Sequence, residues 1–118
     1  MKFFISPPEA TSWNLEVQEL AHAIQKTFGD IEIHPMEHET SHALEWTSAN
    51  GIEGSLDSDR NTIVLEGDIG ACARFALWYR DFVPNAQALV FFDESYSADV
   101  ALTANTNIDD LMTPFVPG

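Results

Sequence analysis

The residues best suited to chemistry cluster in H-P-M-E-H-E-T-S-H, where His34, His38 and His42 recur at four-residue spacing. On a helix such imidazoles share a face and can hold zinc, with Glu37 or Glu39 completing a tetrahedron. Pro35 and the alternating run before it oppose a helix that begins at His34. In an extended chain, positions four apart lie ~13 Å from one another, too far for one ion. A solvated connector is the expectation here. A second pattern, D-S-D-R-N-T-I-V-L-E-G-D, puts Asp57, Asp59, Asn61 and Asp68 where a calcium loop has ligands. Thr62 stands where that loop needs glycine, and Asp68 where it needs a bidentate glutamate. A hairpin turn leading to a helix N-cap accounts for the same residues. Neither a metal nor a cofactor is expected.

A third candidate is Arg80, which falls on the apolar arc of the longest apolar-rich segment, Asp68 to Pro84. A guanidinium there needs a carboxylate or backbone carbonyls to satisfy its donors. Asp93, Glu94 and Asp99 follow in the next strands, so a structural ion pair that locks helix to sheet is expected. A pocket near Arg80 that binds an anion or partner is the alternative. Catalytic sets are missing: the chain has no glycine-rich phosphate loop and no G-x-S-x-G. The one cysteine, Cys72, sits on the apolar face of the same helix, where a small buried thiol is expected. An enzyme is not expected.

Charge is the strongest compositional signal. Nineteen acidic residues face five basic ones, for a net charge of −14 at neutral pH. That balance opposes nucleic-acid binding, which needs a cationic footprint. It suits either a basic protein partner or simple solvation in a salty habitat. No apolar run approaches the ~18 residues of a membrane span. The apolar run after Lys2 is also too short for a signal peptide. A soluble, cytoplasmic protein follows as the expectation.

The elements that must position these residues are legible from period and punctuation. Lys2 to Ser6 is β-prone and closed by Pro7-Pro8. Trp13, Val17, Leu20, Ala21, Ile24 and Phe28 form the stripe of an amphipathic helix, capped by Thr11 or Ser12 and stopped by Gly29. Alternating strands follow over 30–35 and 43–48, with Asn50-Gly51 as a hairpin signal. Gly54, in the returning strand, marks a bulge or a close approach, and Thr62 to Glu66 is a further strand. Asp68 caps the central helix, which Pro84 ends. In that helix Gly70, Arg74 and Asp81 make a narrow polar strip. Residues 88–93 and 98–103 form a second hairpin, and Thr106 with Asp109 resembles a capping box for a short last helix. The whole chain, 1–118, reads as one α+β domain. It is a two-layer sandwich: a mostly antiparallel sheet, two long helices on one face, and a short C-terminal helix.

The pairing of A-R-F-A-L-W-Y-R-D-F-V-P with L-V-F-F-D-E-S-Y-S-A-D-V-A-L-T resembles small uncharacterised bacterial proteins, some of them immunity proteins of polymorphic-toxin systems. The likeness spans roughly Asp68 to Thr106 and rests on core and hairpin residues, so it transfers no site. It implies a cognate inhibitor that binds and blocks a toxin domain, in agreement with the acidity. The partner would be a basic toxin or effector. The expected contacts are Glu37 and Glu39 in the connector and Asp93, Glu94 and Asp99 around the hairpin, with Tyr96 as aromatic anchor. A ligand- or metal-binding domain built on the histidine segment or a pocket near Arg80, and a halotolerant housekeeping domain, are the alternatives.

Overall fold

Phe3 and Ile5 project to one side of the first strand and Phe4 to the other, and the sheet is built outward from that division. The computed structural model describes residues 2–9, 11–29, 31–35, 42–48 and 52–115. In chain order the strands are β1 (Lys2–Ser6), β2 (Ile31–Pro35), β3 (His42–Ser48), β4 (Glu53–Asp57), β5 (Ile63–Glu66), β6 (Leu89–Asp93) and β7 (Asp99–Leu102). The helices are α1 (Val17–Phe28), α2 (Ile69–Phe82) and α3 (Ile108–Met112), the last running into a 3₁₀ turn, Thr113–Phe115. The strands form one seven-stranded sheet in the order β2-β3-β4-β5-β1-β6-β7, antiparallel throughout. The expected α+β sandwich is therefore the fold. The β3–β4 hairpin is present, while its tip, with Asn50-Gly51, lies outside the described residues.

Period-two alternation separates the two faces. Across one face run Asp93, Phe3, Leu65, Gly54, Trp46 and Ile33, and beside them Phe91, Ile5, Ile63, Leu56 and Leu44. Except for the half-buried Ile33, all of these are buried. Ring contacts place the helices over this face. Phe75 of α2 stacks on Trp46 at 5.6 Å and on Phe28 of α1 at 5.5 Å. Phe115 meets Phe3 and Phe91 edge-on at 5.5 Å. Both long helices and the C-terminal turn thus cover one side. Gly54 is a close approach: a Cβ built there would overlap the Trp46 indole, which lies against the glycine backbone across the β3–β4 pair.

The termini of the elements carry most of the corrections. Asp68 caps α2 as expected, accepting from the Ala71 amide at 3.2 Å. Gly70, expected on the polar strip with Arg74 and Asp81, is buried. Helix α1 begins later than Thr11 or Ser12 would place it. Glu16 is its N-cap residue, and Thr11 instead accepts from the Trp13 amide. The Leu15 amide bonds Arg60 O at 2.7 Å, so a loop carries Leu15 into the core before the helix starts. The last helix has its capping box one residue on, Asn107 with Asp110. Thr106 is drawn away because its hydroxyl bonds Ala101 O and the Thr103 amide. No helix among the described residues is long and apolar enough to cross a membrane.

Candidate functional site

The face turned away from the helices carries a row that crosses all seven strands: Asp99, Phe92, Phe4, Val64, Ser55, Glu45 and His34. The adjacent row is Lys2, Glu66, Glu53, Thr47 and Glu32. In an antiparallel sheet covered on one side, the bare side is ordinarily polar. Here the part over β5, β1 and β6 is apolar. Phe92 stacks on Phe4 with ring centroids 5.2 Å apart, and Tyr96 stacks on Phe92 at 4.5 Å. Tyr96 is 63% exposed, the most open large hydrophobic side chain among the described residues. Around this pile stand carboxylates. Glu53 and Glu66 face each other directly across β4 and β5, and neither makes an ion pair among the described residues. Like charges in that relation repel.

The turn after β6 holds Tyr96 in place, and Asp93 builds that turn. Its carboxylate accepts from the Ser97 amide at 2.8 Å, from the Ser97 hydroxyl, and from the Ser95 hydroxyl at 3.1 Å. The Tyr96 amide closes on Asp93 O at 3.0 Å. Tyr96 is left with φ of 57°, a left-handed conformation unusual for a bulky residue. The Ser97 hydroxyl above all, and then the neighbouring donors, outweigh burial and hold the Asp93 carboxyl below its ordinary range. Asp93 is accordingly a buried turn-former, where a partner contact was expected. Glu94, Tyr96 and Asp99 are exposed, and Asp99 stands opposite Phe92. Glu37 and Glu39 lie outside the described residues.

Arg80 meets neither Asp93 nor any other carboxylate among the described residues. It is 3% exposed, and its guanidinium donates to Gln87 O at 2.8 Å, Pro84 O at 2.7 Å, Val83 O at 3.2 Å and Leu102 O at 3.3 Å. The expected ion pair is a carbonyl cage that ties the end of α2 to the loop after it and to β7. The reason is local. The chain turns back just past the last residue of α2, which brings the Val83, Pro84 and Gln87 carbonyls within reach of a guanidinium in the last helical turn. A groove of about 500 Å³ opens beside Arg80, lined by Ala86, Ala88, Ala101 and Asn105 among others. Four of the five guanidinium N–H groups are already committed to carbonyls, so the groove offers an incoming anion little.

The remaining candidates separate rather than converge. His34 is exposed on the edge strand β2, with Nε2 3.7 Å from Glu32 Oε2. His38 lies outside the described residues. His42 falls in β3 rather than on a helix with His34. Asp57 accepts from the amides of Asn61 and Thr62, both at 3.1 Å, and so forms the β4–β5 turn. With Asp68 spent on its helix cap, the calcium-like pattern resolves into a turn and a cap. No group of three metal-ligating side chains occurs among the described residues. Burial, with a lesser push from Asp68, raises the Cys72 thiol to about 11, and it stays protonated at neutral pH.

Phe4, Phe92 and Val64 were not singled out by spacing, although a signal existed. The doublets Phe3-Phe4 and Phe91-Phe92 are apolar at both parities of strands covered on one side only. Comparison of the chain with family models, curated proteins and solved structures finds no match.

Proposed function

We propose that the open sheet face is a docking surface for a basic protein, and that the molecule is an inhibitor of the immunity kind. On this reading it blocks a toxin or effector in the cytoplasm by covering it, without chemistry of its own. One observation carries the reading: an aromatic pile, the half-buried Phe4 and Phe92 topped by the exposed Tyr96, on the sheet face away from the helices and bordered by carboxylates. Exposed aromatic centres with polar rims characterise protein interfaces, where tyrosine is enriched at energetic hot spots. Seven strands at ~4.8 Å spacing make a face ~29 Å wide. With the hairpin ends added, that suits an interface of standard size, ~800 Å² per partner.

Charge selects the occupant. At −14, a second copy or a nucleic acid would be repelled, while a basic protein would be drawn in quickly. Its cations would also relieve the repulsion between Glu53 and Glu66. The test is affinity capture from the source cells with the wild-type chain and with the Glu53→Lys/Glu66→Lys double variant. On-rates for the captured protein are then measured at two ionic strengths. A stoichiometric basic partner lost by the double variant, with an on-rate that falls steeply with salt, is expected. A partner indifferent to the double variant, an on-rate indifferent to salt, or no partner at all would overturn the reading and leave the charge as solvation.

A further inference from the structure

Resting on that reading of the open face, we infer that Tyr96, Phe92 and Asp99 form a receptor for an arginine side chain of the partner. Each part of a guanidinium finds its complement. One face of the Tyr96 ring lies on Phe92 at 4.5 Å, and the residue is still 63% exposed, which leaves ring surface for a flat cation. Asp99 is exposed and stands directly across from Phe92, so its carboxylate flanks the pile on the same face. A carboxylate beside an aromatic plane matches the guanidinium, which stacks by its plane and donates paired N–H groups from its edge. An ammonium has no plane to stack and holds its water more strongly.

The site is also held in advance. Phe4 backs Phe92 at 5.2 Å, and the Asp93 turn fixes the Tyr96 backbone through the Ser95 and Ser97 bonds. Little side-chain freedom is then lost when the cation arrives. Among the five basic residues of this chain only Lys2 belongs to the open-face rows, in the row beside the pile, so no internal arginine fills the place.

The experiment uses two peptides of equal length and charge, one carrying arginines and the other lysines at the same positions, titrated into the full chain and followed by NMR. The arginine peptide is expected to shift the ring resonances of Tyr96 and Phe92 and the amide of Asp99. It should bind about fivefold more tightly than the lysine peptide, the worth of one good stacked cation. Tyr96→Ala and Asp99→Asn should each erase that preference while the remaining amide spectrum holds, and Tyr96→Phe should keep it. Equal affinities at the open face, unchanged by Tyr96→Ala, would overturn the arginine receptor and leave the docking surface standing. Shifts confined to the helix layer, or none with either peptide, would overturn both.

Discussion

The two faces of the one sheet solve opposite problems. On the covered face the large side chains are turned inward and most polar groups are matched, the exceptions among the described residues being Trp46 Nε1, Tyr79 Oη and Arg80 Nε. Trp46 lies on the bare backbone of Gly54, Arg80 is caged by carbonyls, and Asp93 is ringed by hydroxyls and amides. The open face keeps features that cost stability. It sets Glu53 against Glu66, stacks Phe4, Phe92 and Tyr96 towards its β7 edge, and holds that tyrosine at φ of 57°. Strain and exposed apolar surface that a stable fold does not need are retained where a surface has a second task. The difference teaches that the matched contacts of this protein lie on one side of the sheet, and that the proposed docking surface is the side left unmatched.

The comparison breaks most visibly at Arg80. Arg80→Ala leaves buried carbonyls without their donor and should cost about 3–5 kcal/mol. Arg74→Ala on the exposed side of α2 should cost under ~0.5 kcal/mol. Urea midpoints of the two variants measure the contrast, and equal midpoints would mean that the cage contributes nothing. Next in size is Gly54→Ala, in which the methyl group forces the Trp46 indole out of its seat. A loss of about 1–3 kcal/mol is expected, together with a change in tryptophan fluorescence.

Asp93→Ala should cost roughly 1–2 kcal/mol at neutral pH through the lost turn bonds. Its effect depends on pH in a defined direction. The folded-state carboxyl lies below its ordinary range, so the stabilisation is present above the unfolded value of about 4 and lost as pH falls through the lower folded value. The gap between wild type and Asp93→Ala should therefore hold from neutral pH down to about 4 and shrink below it. A gap that widened in acid would contradict the assigned bonds.

The smallest stability effect belongs to the open face. Tyr96→Gly removes a ring stack worth about 0.5–1.5 kcal/mol, yet relieves the left-handed backbone by a similar amount. The thermal midpoint should move by only a few degrees while binding of a basic partner falls sharply. A large destabilisation would make Tyr96 a structural residue and blur the distinction between the faces.

What the sequence determines by itself is local. Element order, the Asp68 cap, the stop at Pro84, the approach at Gly54 and the burial of Cys72 follow from periodicity and from residues with restricted backbones or side-chain caps, which act within a few positions. The excess of acid is equally plain. Tertiary structure alone decides what lies across the sheet. Asp93 looks like any carboxylate near Arg80 until the chain folds and serines two and four residues on enclose it, while the arginine finds carbonyls from the cap and loop after its helix and from β7. Likewise Leu15 is held by Arg60 O, from a turn distant in sequence, and this delays α1. The open-face row depends on β1 entering between β5 and β6, which brings Phe4 beside Phe92 from the far end of the chain. Strand registry is set by long-range pairing and by the one face the helices must cover, and neither is written in any single stretch of the chain.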